Sequence, residues 1–230
     1  MVIELRDATV VVDSPDGPVT LLHPTSATLG EPRVGVIGAN GSGKSTLARL
    51  LNGLALPAAG QVLVDDLDVA TDGREVRRRV GFVFTHPDAQ LVMPTPLEDV
   101  TLSLRRSVPD KADRRRRARE VLDEIGLGDR ADVPVHSLSG GQKQLLALAG
   151  VLATDPEVVV ADEPTTLLDL RNTRAVADRL FGLRQQLVLV THDLDLARRC
   201  DRVLVVDAAR VVFDGPAADA VDHYVALTDA

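Results

Sequence analysis

The 230-residue chain has one cysteine, no tryptophan, one tyrosine and four phenylalanines, and it has no long apolar run. A single thiol, Cys200, excludes an internal disulfide and has no companion for a metal cluster. Aromatics at 2% leave few platforms on which nucleobases could stack. The longest apolar stretch, Leu145 to Ala153, is about half of the roughly 18 residues that a membrane helix needs. Near the N-terminus Glu4, Arg6 and Asp7 interrupt any signal-peptide core. These absences predict a soluble, cytosolic chain with a core of aliphatic residues.

Charge narrows the partners further. The net charge of −8 repels nucleic acid and anionic surfaces in bulk. Two basic clusters stand against it: Arg74, Arg77, Arg78 and Arg79, and then Lys111, Arg114, Arg115, Arg116, Arg117 and Arg119. Asp110, Asp113 and Glu120 fall among the second set at helical spacing, which predicts a solvated helix face and no nucleic-acid partner.

Short β-branched runs recur at 2–5, 9–12, 34–37, 62–64, 80–84, 158–161, 187–190, 203–206 and 210–213. Helix-length segments at 44–51, 113–125, 141–152, 171–183 and 194–199 separate several of them. Strands alternating with helices predict a three-layer α/β core with a largely parallel sheet. The early strands have no helices between them, which predicts an antiparallel patch near the N-terminus. Pro87, Pro94, Pro96 and Pro109 punctuate a strand-poor stretch that reads as a helical insertion. The expected division is a core at 1–85 and 154–215, a helical subdomain at 86–153 and a short tail at 216–230.

Three motifs carry chemistry. Gly38-Ala39-Asn40-Gly41-Ser42-Gly43-Lys44-Ser45-Thr46 follows the strand at 34–37 and opens a helix, which is the setting of a phosphate-binding P-loop. Glycines let successive backbone N–H groups turn toward phosphate oxygens, the helix start adds its dipole, Lys44 neutralises charge and Ser45 can ligate Mg²⁺. Further on, the apolar run Val158-Val159-Val160-Ala161 ends in Asp162-Glu163. Two buried carboxylates cost several kcal/mol unless paired or bound to metal. Asp162 therefore suits a direct or water-mediated Mg²⁺ role, and Glu163 suits polarisation of an attacking water. The third motif, Leu138-Ser139-Gly140-Gly141-Gln142, opens an apolar helix with Ser139 as the expected N-cap. Its bare glycines suit anion recognition by N–H groups.

Taken together, these motifs resemble those of ATP-binding-cassette (ABC) ATPases over roughly residues 2 to 215. The resemblance implies a RecA-like P-loop NTPase core with ATP and Mg²⁺ as cofactors. It also implies a second cassette subunit, identical or paralogous, so that two subunits sandwich two ATPs. Ser139 and Gly141 would then meet the γ-phosphate held by the partner's P-loop, with Gly140 and Gln142 beside them. His192, in Thr191-His192-Asp193, matches the family's switch histidine, and Asp169, in Leu167-Leu168-Asp169, matches its D-loop. Catalysis is expected from Lys44, Glu163 and His192.

Phe82-Val83-Phe84-Thr85-His86-Pro87-Asp88-Ala89-Gln90 and Pro94-Thr95-Pro96-Leu97-Glu98-Asp99-Val100 resemble one branch, the energy-coupling-factor (ECF) importers of vitamins and metal ions. The stretch from Glu163 to Asn172 resembles the biotin members. That likeness implies a transmembrane coupling subunit, a membrane substrate-binding subunit and a place on the cytoplasmic face of the membrane. The other reading weighed is a non-transport ABC ATPase acting on DNA or ribosomes; a small-molecule kinase would lack the signature and the Asp-Glu strand end.

The chain also departs from the family pattern. Thr85 stands where the family places a glutamine that reaches Mg²⁺; Gln90, five residues on, is expected to serve coupling to the membrane partner, with the other reading that it substitutes for that glutamine among the metal ligands. Ser14 stands where an aromatic ring commonly stacks on adenine.

Overall fold

The computed structural model, which describes residues 1–15 and 17–229, holds two sheets and eight helices. The smaller sheet is antiparallel and joins β1 (Ile3–Ser14), β2 (Gly17–Leu29), β4 (Ala59–Val64) and β5 (Leu67–Asp68) in the order β2-β1-β4-β5. This is the antiparallel patch expected near the N-terminus. The two runs at 2–5 and 9–12 are one strand, bent by a register shift around Asp7, whose φ is 49°.

The larger sheet holds β3 (Arg33–Ile37), β6 (Val80–Val83), β7 (Val158–Asp162), β8 (Gln186–Val190), β9 (Arg202–Asp207) and β10 (Arg210–Pro216). Their order is β10-β9-β3-β8-β7-β6, and every pair is parallel except β10 with β9. Val34, Val36, Val159, Val160, Leu187 and Val188 are fully buried. Continuous apolar strands of this kind are covered on both faces. One consequence fixes the site: β3, β8 and β7 are neighbours, so their C-terminal ends open side by side, where α/β sheets receive ligands.

On one side of the sheet, α1 (Lys44–Leu50) lies against β7 and β8. A short α2 (Gly73–Arg79) carries the first basic cluster and buries only Val76. The stretch expected to be helical contains α3 (Pro96–Ser103), α4 (Lys111–Glu124) and α5 (Gly140–Leu152). Leu97, Val100, Ala118, Leu122, Leu146 and Ala149 form its own core. From α5, Leu148 and Val151 also pack with Val159 and Ala161 of the sheet, so this helix belongs to both cores. The second basic cluster lies on α4, where Arg116 pairs with Asp113 and Glu120, and Arg117 with Glu120 and Glu124. Exposed pairs of this sort add little stability.

Two further helices, α6 (Leu170–Phe181) and α7 (Leu194–Ala197), follow β7 and β8. Beyond β10 the expected short tail is instead a docked helix, α8 (Ala217–Thr228), whose Ala217, Ala220 and Val221 pack with Ile37, Val203 and Val205. Among the described residues no helix is long and apolar enough to cross a membrane.

Candidate nucleotide site

β3 ends at Ile37, and the loop from Gly38 to Gly43 leads into α1. Gly38 has a φ of 151°, and a Cβ there would sit 2.0 Å from the carbonyl oxygen of Val206. Gly41 also has a positive φ, 79°, but a Cβ there would meet nothing within 4 Å. The loop is pinned from below by the Ala209 N–H, which donates to the Ser42 carbonyl at 2.9 Å. Gly38→Ala must therefore move backbone, at about 1–3 kcal/mol, or roughly 5 °C in Tm for a chain of this size. Thermal unfolding checks this against Gly41→Ala as the control. Equal shifts for the two variants would contradict the close approach.

Lys44 turns back over this loop. Its Nζ donates to the carbonyls of Gly38 at 2.8 Å and Ala39 at 2.7 Å, and the residue is only 6% exposed. Burial holds its pKa below the usual lysine value, while the charges of Glu163 and Asp162 act against that shift. Ser42 Oγ is buried with no hydrogen-bond partner, and Asn40 is exposed at the crest of the loop. Ser45 and Thr46 lie in the first turn of α1.

Across the sheet, β7 delivers Asp162, which is 2% exposed. Ser45 Oγ donates to its Oδ1 at 2.9 Å. Burial pushes the Asp162 carboxyl above its usual range, and the Ser45 bond and the Arg49 and Lys44 charges work the other way. A carboxylate buried this far gains from a cation beside it. The Ser45–Asp162 pair supplies the hydroxyl and carboxylate oxygens that Mg²⁺ takes alongside substrate phosphates. The residues present therefore fit both ATP and Mg²⁺: Gly38–Thr46 would hold the phosphates, and Ser45 and Asp162 the metal.

Glu163 follows in a left-handed conformation, φ 51°, costly for a residue with a Cβ. Its N–H donates to the Val190 carbonyl at 3.0 Å. Its side chain is 12% exposed, and Oε2 accepts the Thr166 hydroxyl at 2.7 Å and lies 2.7 Å from His192 Nδ1. His192 itself, one residue past the buried Thr191 at the end of β8, is 56% exposed and faces solvent. One carboxylate is thus oriented by two side chains beside the lysine and the hydroxyl–carboxylate pair.

The second set of expected residues lies elsewhere. Ser139 caps α5, accepting the Gln142 N–H at 3.3 Å while its own N–H donates to Gln142 Oε1 at 2.9 Å. Asp169 caps α6 and accepts from both the backbone and the side chain of Asn172. A Cβ on Gly141 would lie 2.3 Å from Asn172 Cγ, so the two helix starts abut, with Gly140 beside Leu168. Among the described residues, no hydrogen bond joins 139–142 to 38–46. The structure brings Lys44, Ser45, Asp162, Glu163 and His192 together, and it brings Ser139, Gly140, Gly141, Gln142 and Asp169 together at the abutting starts of α5 and α6.

Gln90 is a correction. Its Oε1 accepts the Phe84 N–H at 3.3 Å and its Nε2 donates to the Ala147 carbonyl at 3.2 Å. Both ends of the amide are engaged with backbone, one just past β6 and one on α5, so Gln90 leaves the metal set. Sequence reasoning missed Thr166, although it stands three residues after Glu163 in a tight turn, and Arg49, one helical turn beyond Ser45. Ser14 ends β1, and Asp16, two residues on in the stretch where a stacking ring was sought, lies outside the described residues.

A buried lysine over a glycine loop and a hydroxyl–carboxylate pair at the next strand end but one serve a nucleoside triphosphate, which places the chain among the P-loop ATPases. The ABC transporter family profile matches residues 25–166, and the chain belongs to that family as an ATP-binding subunit. A candidate ABC transporter ATP-binding protein of Deinococcus radiodurans is 54% identical over 89% of this chain and 90% of its own. The biotin transport ATP-binding protein BioM of Rhizobium etli is 43% identical over 88% and 90%. A methionine import ATP-binding protein, MetN of Caulobacter vibrioides, is 44% identical over 83% of this chain and 62% of its own.

Solved structures agree with the fold. A dimeric ATP-binding cassette in a post-hydrolysis state, bound to ADP and phosphate, superposes with a TM-score of 0.83 at 28% identity, covering 94% of this chain and 98% of that one. The cbiO1 protein of Clostridium perfringens, part of the cbiONQ ABC transporter complex, gives 0.80 at 29% identity, covering 98% and 93%.

Proposed function

We propose that this chain energises an ECF-type importer from the cytoplasmic face of the membrane, with biotin as the first candidate cargo and a metal ion as the second. Hydrolysis rests on one observation: the Glu163 carboxylate, fixed by Thr166 and His192, stands beside Lys44 and the Ser45–Asp162 pair. Glu163 orients and deprotonates the attacking water, and His192 holds the carboxylate in place. Mg²⁺, when bound, neutralises charge on the phosphates.

A second copy or a paralogue supplies Ser139, Gly140, Gly141 and Gln142 to this site, a reading supported by the absence, among the described residues, of any hydrogen bond from them to the phosphate loop of their own chain. Asp169, packed through Asn172 on that helix start, carries the state of one site to the other. The ECF reading is supported by the likeness of 82–90 and 94–100 to that branch, by the biotin-transport relative and by the cbiO1 neighbour. The methionine-import relative is the competing observation.

Affinity purification of the tagged chain from its own membranes, with mass spectrometry of what accompanies it, tests the reading. The expected result is a transmembrane coupling subunit, a small membrane-embedded binding protein and bound biotin. A methionine-type permease, or ribosomes or DNA in place of membrane subunits, would overturn it.

A further inference from the structure

We propose that Thr85 is a positioning residue for hydrolysis: its hydroxyl fixes the peptide joining Asp162 to Glu163. This rests on Glu163 acting as the base. The parallel ladder between β6 and β7 ends at the Val83–Ala161 pair. Beyond it, Thr85 Oγ1 donates to the Asp162 carbonyl at 2.8 Å, adding one more rung from a side chain. From the opposite neighbour, the Val190 carbonyl accepts the Glu163 N–H at 3.0 Å.

That single peptide is therefore gripped on both edges. Its six atoms are coplanar and include the Cα of Glu163. Two bonds to different strands thus set the plane from which the Glu163 side chain departs, at the point where φ turns to 51°. A β-branched side chain suits the task, because few χ1 rotamers compete.

Thr85 is itself held from behind. The Phe84 N–H donates to Gln90 Oε1, and the Phe84 carbonyl accepts Gln144 Nε2 at 3.2 Å. Gln144 is buried on α5, the helix whose first turn is the signature segment. Contacts thus run without a break from that helix through Phe84 and Thr85 to the Asp162–Glu163 peptide. The threonine does not imitate the glutamine common at its position, since its hydroxyl is committed to a backbone carbonyl.

The test measures steady-state ATP turnover by the purified protein carrying Thr85→Val, Thr85→Ser, Glu163→Gln and the Thr85→Val/Glu163→Gln pair. Thr85→Val is expected to lower kcat about tenfold, the worth of roughly one hydrogen bond, with KM for ATP unchanged and with Thr85→Ser restoring the rate. If Thr85 acts through Glu163, the double variant turns over no more slowly than Glu163→Gln alone.

Wild-type turnover by Thr85→Val would overturn the proposal. So would multiplied losses in the double variant, or a fall in kcat accompanied by a raised KM and a lowered Tm that serine does not restore. Wild-type turnover by Glu163→Gln would instead remove the base on which the proposal stands. Should Thr85→Val fail to fold, Gln144→Met, which frees the Phe84 carbonyl, is expected to give the same loss in kcat alone, and unchanged kcat there would count against the proposal.

Discussion

Lys44→Ala is expected to weaken binding of a labelled ATP analogue by about two orders of magnitude or more, since hydrogen bonds to charged groups are each worth roughly 1.5–3 kcal/mol and each 1.4 kcal/mol is tenfold. The side chain is the cation of the phosphate loop, and it also ties that loop together by donating to the Gly38 and Ala39 carbonyls. Alanine therefore removes the charge and leaves two carbonyls without their donor. Burial lowers the lysine pKa while Asp162 and Glu163 counter it, so the loss also removes from those carboxylates one of the positive charges that favour their ionised form. Near-normal affinity in equilibrium binding would place the phosphates elsewhere.

Glu163→Gln is expected to keep ATP binding and to slow turnover by roughly 10²–10⁴, the range for a positioned acid–base group. Glutamine has the same shape and still accepts the Thr166 hydroxyl, so the site persists while the base is lost. Bound ATP then outlives the encounter, and an ATP-loaded dimer accumulates on size-exclusion chromatography. Unchanged hydrolysis would move the base to another group, with His192, 2.7 Å away, first in line.

Most of the sheet was legible because a parallel strand buried on both faces must be written in valine and leucine. β3, β7, β8 and β9 all lie within a residue or two of their apolar runs. By contrast, β2 was invisible. It is an edge strand, half exposed, and it tolerates Pro18 and Pro24 because an edge leaves N–H positions unused. α3 was overlooked although its signal was present: Thr95 and Glu98 form a capping box with Pro96 at the first turn. α2 read as a charge cluster because a single buried valine gives no periodicity.

In the site, the motifs located Lys44 and Ser45 at the start of the helix that follows β3 and its glycine loop, and Asp162 and Glu163 at the end of β7. Side-chain aim was beyond the sequence. Gln90 and Thr85 are separated by only a few residues, yet one bonds the backbone of α5 and the other that of β7. That choice is made by how α5 packs on the sheet, which no local pattern encodes.

The positive φ at Glu163 sets stability and turnover in opposition at one residue. Glycine there would relax the backbone, and Asn or Asp tolerates the left-handed region better than Glu does. Selection for heat resistance alone would drift toward those residues and produce tougher, inactive proteins. Position 163 is thus a place where a library screened only for folding misreports fitness, and where an apparent stabilising hit is a warning of lost work.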